Sequence, residues 1–206
     1  MSSKIGLLIL GFGGHARSVA NVALSMGYRE LLFVDDNAKP NESFLGYPVC
    51  NEFTDKLPAN WACMPAAGDN RRRQLQIEYA ATHGWNIAML IAPSAHVGIG
   101  AVIEKGTLVA HHAYVGPMAA IGTGCIVNTG AVIEHECAVD DFSHVSVNAS
   151  IAGRSRLGRY GFIGVGSTVI DGITLGDDIT VGAGAVVTKS TNKPGTYIGV
   201  PAKLLK

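Results

Sequence analysis

The chain has 206 residues, 48% of them hydrophobic and 16% charged, with a mean hydropathy of +0.25. That length suits one or two compact, sheet-rich domains. Lys plus Arg and Asp plus Glu balance at 16 each with no basic stripe, which argues against nucleic acid or an anionic membrane as the main partner.

Lys4 to Leu10 reads as a buried strand. Its apolar stretch Ile5 to Leu10 runs straight into glycines and is too short for a signal peptide or a spanning helix. GFGGHA (Gly11 to Ala16) reads as a tight turn, and Ala16 to Met26 as a helix ending at Gly27. Leu31 to Val34 is a second strand closing on Asp35 and Asp36, and Trp61 to Ala67 a third ending at Gly68. Asp69 then caps a helix through about His83 whose first turn holds Arg71, Arg72 and Arg73. A last strand, Asn86 to Ile91, leads onward. Alternating strands and helices predict a small parallel, Rossmann-like α/β domain over residues 1–92, with ligands at the carboxyl ends of its strands. The boundary falls near Pro93.

Gly11, Gly13 and Ala16 fit the loose G-x-G-x-x-A pattern, and Asp35 and Asp36 follow about twenty residues on, where a ribose hydroxyl is often bound. Half of a doubly wound sheet holds one nucleotide and leaves no separate domain for hydride chemistry. A nucleotide diphosphate is therefore expected, its pyrophosphate at the helix start near Gly13, Gly14 and His15 and its uridine or ribose near Asp35 and Asp36. The plainer alternative is that the glycines only turn the chain and His15 only caps the helix.

From Ile91 to Val187 every sixth residue is Ile, Leu or Val without exception. Four residues after each sits a second set, nearly all small, including Ala113, Cys125, Ala131, Cys137, Ser143 and Ala149. The small residue and the next aliphatic are two apart, so each hexad supplies a short strand with both pointing inward. The residues between form a corner. Gly at the second hexad position (Gly98, Gly116, Gly122, Gly158, Gly164, Gly176, Gly182), with Asn128 and Asp140, is expected there to permit the bend. Such a period predicts a parallel β-helix over residues 93–206 in which each coil buries its face by stacking on its neighbours. Four cysteines at scattered spacings carry no metal motif, and Cys125 and Cys137 fill inward slots as reduced thiols. A cytoplasmic location is expected.

His135 and Glu136 take the third and fourth places of their hexad, on a corner, where they point outward and can share one groove. That puts a base beside a carboxylate able to fix its tautomer. Gly153 follows three hexads later; if three hexads make a coil, it stacks on His135 and its N–H faces an oxyanion. His144 lies on the outward face of a flat side, a wall for a ligand lying along the column.

The hexads, IEHEC (Ile133 to Cys137), FSHVSVNASIAG (Phe142 to Gly153) and GVPAK (Gly199 to Lys203) resemble the left-handed β-helix acyltransferases. GFGGHA with VDD (Val34 to Asp36) narrows the resemblance to the bacterial sugar acetyltransferases acting on nucleotide-linked aminosugars or sialic acids. The resemblance covers nearly the whole chain. It implies a left-handed coil, against the usual crossover hand, three hexads per turn, and a homotrimer with acetyl-CoA between adjacent prisms. It also implies His135 as general base with Glu136 its partner, and Gly13, Gly14, His15, Asp35, Asp36 and Gly68 as nucleotide-sugar contacts. For acetyl-CoA it implies His144, Val165 and the stretch Gly182 to Gly184, with the Gly153 N–H on the thioester oxygen. Asn128 is a further sugar contact on the same ground. The implied reaction is direct N-acetylation, without an acyl-enzyme or a metal, of a sugar amine at C4 of a UDP-linked amino-dideoxy sugar.

Three other readings stay open at this point: O-acetylation of a sialic acid, a β-helix zinc hydratase using His96, His111, His112, His135 and His144, and a non-catalytic nucleotide-sugar-binding module. Against zinc, His111 and His135 are four hexads apart and lie on different sides of one prism.

Overall fold

The computed structural model describes residues 6–205; Lys4 and Ile5, the start of the first expected strand, lie outside them. Strand β1 (Gly6–Leu10) is flanked in parallel by β2 (Glu30–Val34) and β5 (Trp61–Pro65). Beyond β2 lie β3 (Ser43–Phe44) and β4 (Tyr47–Cys50), giving the order β3-β4-β2-β1-β5 with only β3 antiparallel. Leu7 and Ile9 pack on Ala16, Val19, Ala20 and Ala23 of helix α1 (Gly14–Ser25), whereas Leu8 and Leu10 pack with Cys63, Trp85 and Ala80 of helix α2 (Asn70–Thr82). Both faces of β1 are covered, which is why its sequence is an unbroken apolar run.

Helix α1 starts two residues earlier than the sequence suggested, because extended Gly13 serves as its N-cap without a side chain. Helix α2 starts as expected: the Asp69 carboxylate accepts from the Arg72 N–H at 2.8 Å. Strand β5 stops at Pro65, before Ala67, and of Asn86 to Ile91 only Leu90–Ile91 is a strand, with one bridge from Ile87 to Cys63. The β3–β4 hairpin lies outside the elements the sequence predicts. Its turn, Leu45–Gly46, has positive φ at both residues (53° and 86°), without the Asn-Gly or Asp-Gly pair that announces such a turn.

From Leu90–Ile91 to Val186–Val187 the chain winds as a left-handed β-solenoid of two- and three-residue strands in three parallel walls. A first wall contains Leu108–Val109, Ile126–Val127, His144–Val145 and Phe162–Ile163; a second contains Tyr114–Val115, Val132–Ile133 and Ser150–Ile151; a third contains Ala120–Ile121, Ala138–Val139 and Arg156–Leu157. Strand partners are offset by three hexads, as in Val132 with Ser150. The hexad aliphatics and small residues fill the interior as one buried cluster. Inward hydroxyls are satisfied along the stack: Ser143 Oγ donates to the Gly158 carbonyl at 2.8 Å and accepts from the Gly161 N–H at 3.0 Å.

The corner glycines act otherwise than expected. Positive φ falls at the fourth hexad position, as at His112, Gly124, Gly130, Glu136 and Arg154, and not at the second. The second-position glycines serve contact: a β-carbon at Gly116 would lie 2.6 Å from the His135 backbone nitrogen, and one at Gly98 2.6 Å from that of Pro117. They let successive coils stack; they do not turn the chain.

The α/β unit covers the first wall. Leu90, Ala92, Leu108 and Ala110 belong to the same buried cluster as α1. The edge between the second and third walls, which carries residues 134–137, therefore lies across the column from that unit.

Candidate active site

On this edge His135 Nδ1 lies 3.1 Å from Glu136 Oε2 with both side chains substantially exposed, at 43% and 59%. A carboxylate can only accept, so in the neutral ring the proton sits on Nδ1 and Nε2 keeps its lone pair. One coil on, Gly153 sits against the ring: a β-carbon there would meet Nε2 at 2.5 Å and Cε1 at 2.6 Å. The Arg154 N–H donates to the His135 carbonyl at 2.9 Å, fixing the stack, and Arg154 pairs with Asp171 at 2.7 Å beyond it. A basic nitrogen thus faces a bare stretch of backbone on an open edge. Of the buried thiols, burial pushes Cys63 and Cys125 up to about 12, and raises Cys137 as well. None is a ready nucleophile.

In the α/β unit a cleft of about 660 Å³ opens at the carboxyl ends of β1 and β2, lined by Gly11, Asp35, Asp36, Asn51, Glu52 and Arg72, among others. Asp35 Oδ2 accepts from the Phe12 N–H at 2.9 Å and Oδ1 from the Asn37 N–H at 3.0 Å. Asp35 therefore braces the glycine turn. Partial burial pushes its carboxyl up, but the Asn37 and Phe12 hydrogen bonds and nearby Arg72 outweigh this, and the net shift is downward. The neighbouring Asp36 carboxylate has no hydrogen bond among the described residues and faces the cleft. Gly13 and Gly14 border open space at the head of α1. Gln76, which the sequence did not single out, accepts from the Ala66 and Ala67 N–H groups and donates to the Leu10 carbonyl, locking together the two strand ends that floor the cleft.

His15 and His144 meet where the α/β unit covers the column. Their rings are 6.2 Å apart, and Gly68 approaches His15. The outward face on which the sequence placed His144 is thus covered: the residue is 7% exposed, beneath His15 and edge-on to Phe162. Asn128 Oδ1 accepts from the Thr129 N–H, so its Nδ2 donates to His144 Nε2 at 3.1 Å and the His144 proton sits on Nδ1. His144 Nδ1 and His15 Nε2 are buried with no hydrogen-bond partner among the described residues. Burial first, and the Arg73 cation second, lower His15 to about 4 and His144 to about 3, the nearby Gly68 carbonyl offsetting some of the latter shift. Val165 and Gly182 lie on the edge between the first and second walls, Val165 exposed. One chain therefore gathers the expected residues into two groups: His135, Glu136 and Gly153 on the far edge, and the cleft with His15, Gly68, His144, Val165 and Gly182 on or beside the covered wall.

Among the described residues no group of three or more His, Cys, Asp or Glu could hold a metal ion. His96 stacks on Tyr114, and His111 bonds Ser94 at 2.8 Å. No helix among the described residues is long and apolar enough to cross a membrane.

Residues 6–80 match the model of the PglD N-terminal domain, and residues 157–189 that of the hexapeptide repeat of succinyl-transferase. The chain is 36% identical to the acetyltransferase domain of PglB from Neisseria gonorrhoeae in its complex with acetyl coenzyme A, covering 97% of this chain and 98% of that one with a TM-score of 0.91. It is 32% identical to PerB from Caulobacter crescentus in complex with CoA and GDP-perosamine, covering 98% and 97% with a TM-score of 0.86. A curated relative, the UDP-3-O-acylglucosamine N-acyltransferase of Albidiferax ferrireducens, is 38% identical over 52 residues, and the match spans only 16% of that protein. With full-length identity above 30% and a shared fold, the chain belongs to the left-handed β-helix, hexapeptide-repeat family of sugar acetyltransferases.

Proposed function

We propose that the protein transfers acetyl from acetyl-CoA to the amino group of a nucleotide-linked amino-dideoxy sugar, with His135 as general base. The observation that carries this reading is the His135–Glu136 pair, whose free Nε2 is held at an exposed edge against the Gly153 backbone. The bound ligands of the PglB domain and PerB, acetyl coenzyme A in one and CoA with GDP-perosamine in the other, supply the substrate classes. The sugar nucleotide takes the cleft at Asp36, with Gly13 and Gly14 at its phosphates and residues 1–92 acting as a Rossmann-like binding unit. A UDP-linked sugar bearing the amine at C4 is the acceptor expected.

The amine nitrogen attacks the thioester carbonyl while His135 Nε2 removes its proton. The Gly153 N–H stabilises the oxyanion, the tetrahedral species collapses, and CoA leaves as the thiol after taking a proton. Val165 and Gly182 lie along the acetyl-CoA path, whereas His144, which the resemblance assigned there, is covered by His15 and stands with it on the acceptor side. Because the base stands across the column from its own chain's cleft, the working site joins the far edge of one copy to the covered-wall side of a second, as a homotrimer permits.

The test is thiol release from acetyl-CoA against UDP- and GDP-linked 4-amino sugars and a CMP-linked sialic acid, with products read by mass. An added acetyl on the nitrogen of a nucleotide amino sugar supports the reading. Acetylation of a sialic acid hydroxyl alone replaces it with O-transfer, and nucleotide binding without thiol release removes the catalytic claim.

A further inference from the structure

Arg73, on the first turn of α2, is 1% exposed and has no carboxylate partner among the described residues. Its guanidinium is spent on oxygen acceptors from three stretches of chain. Nη1 donates to the Ala67 and Gly68 carbonyls at 3.1 and 3.2 Å. Nε donates to the Gly124 carbonyl at 2.5 Å, and Nη2 to the Phe142 carbonyl at 2.8 Å, the Ser143 carbonyl at 3.4 Å and Asn70 Oδ1 at 2.7 Å.

Burying a cation without a counter-charge is unfavourable, and burial lowers Arg73 to about 10. If the contact existed only to glue the α/β unit to the column, an apolar side chain would do so without that cost. A guanidinium adds a rigid fork of donors that fixes direction. Here the fork joins the Ala67–Gly68 loop, beside His15, to the corner Phe142–Ser143, whose next residue is His144. Those two imidazoles hold the unpartnered buried nitrogens of the interface.

We propose that Arg73 is a positioning residue of the transfer reaction: it fastens the Gly68 loop to the Ser143 corner and so sets His15 and His144 against the acceptor sugar. The inference rests on the function proposed above. A second consequence follows from its charge. The groups facing the two rings are Arg73 from α2, the Gly68 carbonyl, and Asn128 from the column, while Asp69 and Cys125 act on Arg73 in turn. Burial does most to keep both imidazoles neutral, and Arg73, a cation beside them, adds to it.

The experiment compares wild type, Arg73→Lys and Arg73→Met by steady-state kinetics from pH 5 to 8 with a nucleotide amino sugar, by hydrogen exchange, and by NMR titration of the histidine rings. Both variants are expected to lose about 10–100-fold in kcat/KM for the sugar nucleotide with the KM for acetyl-CoA changed far less. Arg73→Met alone is expected to raise the titration of His15 and His144, and both variants to raise exchange at Gly68 and Ser143 together. A lower melting temperature with the kinetic split, ring titrations and segmental exchange unchanged in the folded protein makes Arg73 a stabilising rivet and overturns the proposal. Should the wild type acetylate no nucleotide amino sugar, the functional reading falls, while exchange and titration still decide whether Arg73 governs this pair.

Discussion

His135 Nδ1 and Glu136 Oε2 lie 3.1 Å apart although the residues are neighbours in the chain. On a strand, adjacent side chains point to opposite faces. The positive φ of Glu136, 58°, turns the chain at this corner and brings the carboxylate round to the ring beside it. Replacing His135 by Ala or Asn is expected to lower kcat about 10²–10⁴-fold with little change in either KM. Glu136→Ala removes only the orienting acceptor and is expected to cost about 10-fold. Steady-state kinetics on the two variants decides the order.

Gly153→Ala puts a methyl group where the His135 imidazole now rests, 2.5 Å from Nε2. The ring is on an open edge and can swing aside, so the fold is expected to survive while kcat drops about 10²-fold through misplacement of the base. Thermal melting and kinetics on one preparation separate the two effects.

Glycines at the two corner positions are expected to respond differently. A β-carbon at Gly116 meets the His135 backbone at 2.6 Å, so Gly116→Ala must push adjacent coils apart, at about 1–3 kcal/mol, and shift the base. Gly172, at φ 69° with open space around it, is expected to cost about 1 kcal/mol as Ala, from backbone conformation alone, without loss of activity. Urea unfolding measures both.

His15 and His144 make stability depend on pH in a definite direction. Their folded values, about 4 and about 3, lie below the ordinary 6.5. The unfolded chain therefore takes up protons first as pH falls through 6.5. Stability is full above that pH and declines as pH drops, towards 4 for His15 and towards 3 for His144, by a few kcal/mol per group at most. Melting temperatures from pH 7.5 to 4.5 should fall, and His144→Phe should flatten the fall.

Asp36→Ala is expected to raise the KM for the sugar nucleotide about 10-fold and leave that for acetyl-CoA unchanged, since its carboxylate faces the cleft with no hydrogen bond among the described residues. Asp35→Ala should do more damage to the turn at Phe12 than to binding chemistry.

The hexad arithmetic made the short strands and the buried faces of the column legible, whereas the three-hexad register, and with it the stacking of Gly153 on His135, followed from the resemblance to the left-handed β-helix acyltransferases. Asp69 was legible as a helix cap for an equally local reason. What stayed hidden depended on which wall the α/β unit would cover. Nothing local marks His144 as buried or Arg73, in a run of three arginines, as the one turned inward. The sequence points the second-position glycines to the bend because it shows glycine but not the neighbouring coil that excludes a β-carbon.

The most direct test of the shared site mixes two inactive variants, His135→Ala and Asp36→Arg, the latter filling the cleft. Unfolding and refolding them together at equal amounts lets subunits reassort. If base and cleft come from different copies, about a quarter of the interfaces regain both and thiol release returns to about that fraction of wild type. If the mixture stays inactive while each variant assembles normally, the base does not act across a subunit boundary and the account is wrong.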